Sequence, residues 1–203
     1  MKKKVNFAPS LNWIITLLAF LSLSYGCAHH IPRPVTDFYQ RPGVDLRQYE
    51  RIAVLDFSSP LVESSAGVEA SDIVGLELIK KGYVVAERSR VDRILKEQGL
   101  ALTGAIDETT VVEIGKILGV QALIMGSVGS YKTISKMIII PTMYGPVGGT
   151  YVEASASITM KIIDMKDAKI VWMGQGNCKV EADNPVVPLK AAIVELLKSF
   201  PPK

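Results

Sequence analysis

Residues 151–162 alternate between apolar and polar side chains without interruption, and this pattern constrains the fold more than any other stretch of the chain. Because successive side chains of a strand point to opposite faces of a sheet, it predicts a long strand with one dry and one wet face. Residues 164–169 then form a polar turn, and residues 170–177 return as the hairpin partner. The side chains expected on the dry face are Val152, Ala154, Ala156, Ile158, Met160 and Ile162.

A terminal helix is expected after this hairpin, over residues 187–200. Pro185 and Pro188 stand at its start, where the fixed proline backbone suits the first helical turn. The apolar stripe expected to face the core contains Ala191, Val194 and Leu197, with Lys198 on its solvated edge.

A β-α-α-β unit precedes the hairpin, over residues 83–131. Gly82, Gly99 and Gly119 each follow a helix-like segment, at positions where glycine commonly ends helices. Asp107 is placed to cap the second helix of the unit. The residues expected to be buried on the two helices recur at helical spacing and are Val91, Ile94, Leu95, Val111, Ile114, Ile117 and Leu118.

Upstream, residues 52–57 form a nearly continuous apolar run, which is typical of a strand buried on both faces. The loop at residues 58–66 contains neither of the glycine-rich patterns that cradle phosphates, so no nucleotide cofactor is expected. A helix over residues 68–81 follows, with Glu77 and Lys81 as an exposed pair. The side chains expected to be buried on this helix are Ile73, Leu76 and Ile79.

Several motifs, in this order along the chain, resemble those of the CsgG family of curli production assembly/transport lipoproteins. They include IAVLDF, VAER, IGKILGV and a Gly-Ser pair, and they lie at residues 52–57, 85–88, 95–98, 103–104, 114–120 and 126–127. The resemblance covers roughly residues 50–177. It implies an α/β domain with a mixed β-sheet, flanking helices, a C-terminal β-hairpin and a terminal helix. It also implies work in assembly or secretion at the outer membrane, where curli or other surface structures are built.

The N-terminus has the pattern of a secretory signal. Three lysines at residues 2–4 precede an apolar stretch at residues 11–23, which is shorter than the ~20 residues of a membrane span. Gly26 followed by Cys27 resembles the bacterial lipoprotein signal, in which the cysteine is acylated. We therefore expect a signal peptide at residues 1–26 and palmitate-type acyl chains on Cys27, which would anchor the protein in a lipid bilayer.

Ala28, rather than aspartate, follows the cysteine, and in the lipoproteins that this sequence resembles that choice favours the outer membrane. The expected location is the periplasmic side of that membrane. Residues 27–50 are rich in proline and indicate a flexible, lipidated tether, so that the domain occupies residues 51–203. His29 and His30 are expected to be solvated there, because no further histidine exists to complete a metal site.

Residues 132–150 decide between functional alternatives. In CsgG-type channels the insertion at this place is a β-hairpin, and many subunits pool their hairpins into a barrel through the outer membrane. Pro141 is expected to interrupt the outgoing strand here, and residues 178–186 are too few for the second hairpin of those channels. Three interpretations stay open: an interface with sibling subunits or a partner, a structural arm, or membrane insertion. The contact residues expected are Met137, Ile138, Ile139, Ile140, Met143 and Tyr144.

The sequence does not indicate catalytic chemistry. Both histidines lie in the expected tether, so no Ser-His or Cys-His pair can form in the domain, and two cysteines cannot complete a four-ligand metal site. Cys178 is expected to be a small residue at a strand end, and Trp172 and Met173 are expected in the core. We therefore predict a protein that is not an enzyme and that holds no cofactor and no metal.

The net charge of +3 is supplied entirely by the lysines at residues 2–4, which argues against binding to nucleic acid. Charged side chains cluster on the two helices of the central unit and are expected to face water. Arg88, which follows an apolar strand, is a candidate for a subunit seam. The members of the cluster are Glu87, Arg88, Arg90, Asp92, Arg93, Glu97, Asp107 and Glu108.

Two functional hypotheses follow from the sequence. The first is an outer-membrane lipoprotein of the CsgG type that forms a homo-oligomer and serves a secreted or envelope client in assembly or secretion. The second is a monomeric periplasmic accessory lipoprotein that binds and regulates another envelope protein.

Overall fold

The computed structural model describes residues 33–59, 65–97 and 108–203. Within them the strands are β1 (Val35–Gln40), β2 (Arg51–Val54), β3 (Val84–Val85), β4 (Ala122–Thr142), β5 (Gly145–Asp164) and β6 (Ile170–Glu181). They form one sheet in the order β1-β6-β5-β4-β2-β3. β2 pairs in parallel with β3 and β4, whereas β4, β5, β6 and β1 are antiparallel neighbours. The mixed sheet and the C-terminal hairpin expected from the sequence are confirmed.

Helices lie on both faces of the sheet, and in the described residues they are α1 (Ala66–Lys80), α2 (Arg88–Glu97), α3 (Glu108–Leu118) and α4 (Val186–Leu196). On the first face, α1 and α4 cover a core that includes Trp172, Ile158 and Phe200. On the second face, α2 and α3 cover a smaller core of Leu123, Ile114 and neighbours. The flanking helices and the terminal helix are therefore also as expected.

The alternation at residues 151–162 correctly predicted the dry face of β5 from Ala154 to Ile162, whereas Val152 is only half-buried and Ser155, expected on the wet face, is buried. Ala154, Ala156, Ile158, Met160 and Ile162 are buried in the core under α1 and α4, as the period of two requires. The strand itself is longer than expected at both ends, and its partner β6 extends to Glu181. The same sheet face continues from β5 onto β6, where Trp172 is fully buried.

The phase of α1 differs from the prediction. Leu76 and Ile79 are 50% and 57% exposed, and the helix buries a different stripe that includes Ala70, Val74 and Leu78. Lys81 does not pair with Glu77, because its Nζ donates to the backbone oxygen of Phe200 at 2.8 Å. Glu77 pairs instead with Lys80, at 2.6 Å.

The phase of α4 also differs. The helix buries Leu189, Ala192, Ile193 and Leu196 against the sheet, so the predicted stripe is only partly right. Leu197, in the short 3-10 turn Leu197–Ser199, is buried as expected, while Ala191 and Val194 are half-buried at the side of the helix. On α3, Ile114 and Leu118 are buried as predicted but Ile117 is 44% exposed.

The expected tether at residues 27–50 is corrected over its second half. Residues 35–40 form β1, which adds an edge strand to the sheet beside β6. Phe38 stacks on Trp172 with ring centroids 6.2 Å apart, and Leu46 and Tyr49 are buried. Tyr49 donates its hydroxyl to Asp164 at 2.8 Å. The domain therefore begins well before residue 51, because these side chains complete its core.

Several predicted features lie outside the described residues. These are the signal peptide, Cys27, Ala28, His29, His30, Gly99 and Asp107. The side chains of Arg88, Arg90, Asp92, Leu95, Glu108 and Val111 are outside the described part as well, although their backbones lie in α2 and α3. Val91 and Ile94 are buried as expected, and Glu87, Arg93 and Glu97 are exposed.

Candidate functional site

The hairpin of β4 and β5 projects beyond the rest of the sheet. β6 ends with Glu181 opposite Glu153, and the Ala182 N–H still donates to the Val152 oxygen at 3.1 Å. Beyond this contact β4 and β5 pair with each other, from Ser135 and Val152 to Thr142 and Gly145. We call residues 135–152 the β-arm. At ~3.3 Å per residue it extends the sheet by roughly 25 Å in one direction.

The tip of the β-arm is a two-residue turn at Met143 and Tyr144, whose side chains are 89% and 92% exposed. Gly145 has φ +110, which a side chain would strain, and so glycine closes the turn. The Thr142 hydroxyl donates to the Gly145 oxygen at 2.5 Å and accepts from the Tyr144 N–H at 3.3 Å. The turn is thus ordered by its own backbone and by one side chain.

The prediction that Pro141 interrupts the outgoing strand is wrong. Pro141 lies directly opposite Pro146, and the ladder continues past both of them to Thr142. Opposed residues in an antiparallel pair alternate between those that exchange backbone hydrogen bonds and those that do not. Two prolines, which lack N–H groups, fit together at a position of the second kind.

Both faces of the β-arm are apolar and exposed. Ile138, Ile140 and Val147 lie on one face, and Met137, Ile139, Pro141 and Pro146 lie on the other. Met137 is 71% exposed and Ile139 is 64% exposed. All six contact residues expected from the sequence are therefore gathered on this arm, and Val147 joins them. A contiguous apolar surface of this kind usually marks an interaction site.

Two glycines make this surface more accessible. Gly149 lies opposite Ile138 and Gly148 lies opposite Ile139, so neither isoleucine has a side chain directly across the ribbon. A Cβ added at Gly149 would meet nothing within 4 Å. A two-stranded ribbon is only marginally stable by itself in water. We therefore expect another surface to fill the space beside these isoleucines.

The base of the β-arm is fixed to the domain by polar contacts. Lys136 Nζ lies 2.7 Å from Glu153 Oε2. This hydrogen bond is the main reason that the pKa of Glu153 is lowered and that of Lys136 is raised. Below the arm, the Tyr131 hydroxyl donates to Glu69 of α1, and burial followed by this hydrogen bond raises the pKa of Tyr131. The arm therefore starts from a fixed position.

A cleft of about 240 Å³ opens where β2 ends, lined by Leu55, Met125, Lys161 and Met173 among others. Met173 is 44% exposed in it, so its predicted core position is wrong, whereas Trp172 is buried as expected. Sequence reasoning missed this cleft because its walls come from separate strands. The described residues contain no group of three His, Cys, Asp or Glu side chains that could hold a metal.

Cys178 is buried in the body of β6, rather than at its end, and is a free thiol. Burial raises its pKa, which disfavours the reactive thiolate. Across the described part of the chain, no helix has both the length and the apolar composition that a membrane crossing requires.

The fold and the site define the class of this protein: an α/β domain with a mixed sheet and a projecting apolar β-arm. The family model described as "Curli production assembly/transport component CsgG" matches residues 42–187, and the chain belongs to this family. No curated protein sequence matches the chain.

Solved structures share the fold at low identity. PelC from Paraburkholderia phytofirmans, described as a dodecamer, has a TM-score of 0.56 and 14% identity, covering 84% of this chain and 99% of that one. Lipoprotein GNA1162 from Neisseria meningitidis has a TM-score of 0.52 and 20% identity, covering 73% of this chain and 98% of that one. At these identities the likeness concerns the fold alone.

Proposed function

We propose that this protein is a non-enzymatic lipoprotein on the periplasmic side of the outer membrane, where it forms a homo-oligomer that serves assembly or secretion of cell-surface structures. The observation that carries the proposal is the β-arm, with exposed apolar side chains on both faces. Membership in the CsgG family supports the assembly or transport role.

The energetics of the β-arm support an oligomer. Burying one large aliphatic side chain is worth ~1.5–3 kcal/mol. Met137, Ile138, Ile139 and Ile140 are each between 48% and 71% exposed, so about half or more of this stabilisation is not realised in the single chain. Sibling arms that pack together would gain it. The dodecamer described for PelC is a property of that protein, and by analogy it supports an oligomer here.

The position of β1 supports an arrangement in which the β-arm lies near the bilayer. Val35 pairs with Asn177, Asn177 with Ser157, and Ser157 with Ser130, so β1 begins at the end of the sheet from which the arm projects. A tether from an acylated Cys27 would enter the domain at this end. The end of the sheet where Val35 and the β-arm both lie is therefore the end that we expect to face the membrane.

The first test is the mass of the detergent-extracted, lipidated protein, measured by light scattering with the detergent contribution subtracted. We expect a discrete oligomer. Replacing residues 137–150 with Asn-Gly, a pair suited to a two-residue hairpin turn, shortens the β-arm and should reduce the mass to that of the monomer. A control variant, Ile117→Asp, changes an exposed apolar side chain on α3, away from the β-arm, and should keep the wild-type mass.

A monomeric mass for the unchanged protein would contradict the proposed oligomer. Co-purification of a different envelope protein with that monomer would then favour the accessory lipoprotein.

The anchor is tested separately with Cys27→Ser. We expect this variant to lose metabolic labelling by a palmitate analogue and to move from the outer-membrane fraction to the soluble periplasm. Multiple acyl chains bind a bilayer firmly, at ~0.8 kcal/mol per buried methylene, so their loss should be visible as a complete shift. Retention of label in the variant would exclude Cys27 as the acylated residue.

A further inference from the structure

We propose that the cleft at the end of β2 is a binding site for a small apolar monocarboxylate. We call it the β2 cleft, and the residues that carry the argument are Leu55, Met125, Thr159, Lys161 and Met173. Each of its lining residues lies in the body of the domain, outside the β-arm. The site is therefore separate from the surface on which the proposed function rests.

The winding of the chain places the β2 cleft where a ligand site is expected. β2 lies between β3 and β4 in the sheet. The connection from β2 to β3 passes through α1 on the first face, and the connection from β3 to β4 passes through α2 and α3 on the second face. The direction of winding therefore reverses at β2. In open α/β sheets, ligands bind outside the carboxyl ends of the strands at such a point.

One row of side chains across three strands forms the floor of the cleft. Met125 on β4 lies opposite Lys161 on β5, and Lys161 lies opposite Met173 on β6. The aliphatic stem of Lys161 therefore lies between two thioether side chains. Leu55, the residue after β2, donates its N–H to Ile124 of β4 at 2.9 Å and adds another apolar side chain beside Met125.

The two methionines give the cleft an open side and a closed side. Met173 is 44% exposed, whereas Met125 is 9% exposed, so a ligand would enter from the side of β6. Methionine side chains are flexible and polarizable, and they adapt to apolar ligands of different shape. The volume of about 240 Å³ is below the ~300 Å³ at which sites for drug-sized molecules begin, so the ligand is a small one.

Lys161 supplies the charge that the ligand must complement. Among the described residues, no carboxylate pairs with its ammonium group. Asp56 also borders the cleft, but its carboxylate accepts the hydroxyl of Ser71 on α1 at 3.2 Å. An ammonium group without a counter-ion, beside apolar side chains, favours a ligand that carries one negative charge.

Hydroxyl groups lie in the neighbouring row of the same sheet face. Ser127 on β4 lies opposite Thr159 on β5, and both side chains line the cleft beside Met125 and Lys161. Each carboxylate oxygen has two lone pairs, so a carboxylate can accept from the ammonium group and from these hydroxyls together. A phosphate fits less well, because residues 58–66 contain no glycine-rich loop whose N–H groups would hold it.

Octanoate is the probe, because it joins a carboxylate to an unbranched chain that flexible thioethers can accommodate. Equilibrium dialysis of labelled octanoate against the full-length lipidated protein in phospholipid nanodiscs measures binding, with empty nanodiscs as the blank. We expect saturation at one octanoate per chain with a Kd of ~0.1–1 mM, in keeping with a ligand of about ten heavy atoms. Octanamide, which has the same chain without the charge, should bind at least ~10-fold more weakly.

Three substitutions test the role of the ammonium group. Lys161→Met keeps a side chain of similar length and should raise the Kd for octanoate about 10- to 100-fold, since a charge-assisted hydrogen bond is lost. Met173→Glu places a carboxylate opposite Lys161, which should pair with the ammonium group and abolish binding. Lys179→Met is the matched control, because Lys179 is exposed further along β6, opposite Ser155, and should bind like the wild type. Circular dichroism verifies that each variant is folded.

Methyl NMR locates the bound ligand. In protein labelled at the methionine methyl groups, octanoate should shift the signals of Met125 and Met173. The signal of Met143, which is 89% exposed at the tip of the β-arm, should stay unchanged. Shifts at Met143 with none at Met125 and Met173 would mean that octanoate binds the β-arm as an amphiphile, and they would overturn the proposal.

Three further results would also overturn the proposal: no saturable binding of octanoate, equal affinity of the wild type and Lys161→Met, or equal affinity for octanoate and octanamide. N-acetylleucine, which resembles the free carboxyl terminus of a polypeptide, separates two sources of the same chemistry. Tighter binding of N-acetylleucine than of octanoate, with the same dependence on Lys161, would support the site and identify a polypeptide end as the source. Tighter binding of octanoate would support a free acid.

Discussion

Ile139 lies directly across the β-arm from Gly148, so its side chain has no side chain opposite it on an exposed strand. The Ile139 side chain therefore borders an open space that a neighbouring molecule can occupy. A substitution at Ile139 should change the affinity of assembly without changing the stability of the single domain.

Ile139→Asp should weaken assembly and leave the single domain stable. The loss of one isoleucine from the contact is worth ~1.5–3 kcal/mol, which corresponds to about a 10- to 150-fold weaker association. The free energy of unfolding should change by less than ~0.5 kcal/mol, because the residue is 64% exposed in the single chain. Asn177→Asp, which adds the same charge to an exposed position of β6, should leave the mass unchanged. Equal association constants for the two variants would contradict a role for Ile139.

Gly67 and Gly75 provide a matched pair of substitutions on α1. A Cβ at Gly67 would lie 1.8 Å from the backbone oxygen of Phe57, whereas one at Gly75 has only a contact at 3.9 Å. Gly67→Ala should therefore lower the free energy of unfolding by about 2–3 kcal/mol. Gly75→Ala should raise it by about 0.5–1 kcal/mol, because alanine is the better helix former. Urea unfolding measures both, and similar values for the two would show that the helix start can shift.

N-terminal truncation tests whether the folded domain begins before β1, as the structure shows, or at residue 51, as the sequence predicted. A chain that begins at Arg33 keeps β1, Leu46 and Tyr49 and should unfold cooperatively. A chain that begins at Arg51 loses these side chains, each worth ~1.5–3 kcal/mol, from a total stability of ~5–15 kcal/mol. We expect it to be partly unfolded in circular dichroism and to bind a hydrophobic dye. Equal melting temperatures for the two chains would show that β1 is dispensable.

The pair of Lys136 and Glu153 should make the base of the β-arm sensitive to acid. Its hydrogen bond lowers the pKa of Glu153 in the folded protein, so the stabilisation is present above the ordinary carboxyl range. It is lost as the pH falls through the lowered pKa. Lys136→Met should return the pKa of Glu153 toward its usual value, as followed by NMR titration of the side chain. An unchanged titration would mean that the pair is absent in solution.

The sequence predicted β5 well because one face of that strand is buried along much of its length. The polarity of most side chains on the strand therefore indicates whether they face the core or the solvent. It predicted β1 poorly because Val35–Gln40 has little alternation and follows a proline-rich stretch. The strand is stabilised by β6, more than a hundred residues away, and by Phe38 on Trp172. A local sequence pattern does not reveal contacts between residues that lie so far apart along the chain.

The helices show a different reason for error. On α1 and α4 the apolar residues occupy more than one stripe, and the pattern alone does not say which stripe the sheet covers. Leu76 and Ile79 satisfy the helical period as well as Val74 and Leu78 do. The contact residues of the β-arm were predictable from composition. The length of its strands and its two apolar faces were not, because Pro141 by itself predicts an interruption and only the register of the hairpin places it opposite Pro146.

β1 has a mechanical consequence. A pull on the chain ahead of Val35, directed along the arm, acts parallel to β1 and loads its hydrogen bonds to β6 all at once, in shear. Bonds loaded together resist force far better than bonds opened one after another. The first strand of the domain therefore resists detachment when the chain is pulled along the strand's own axis.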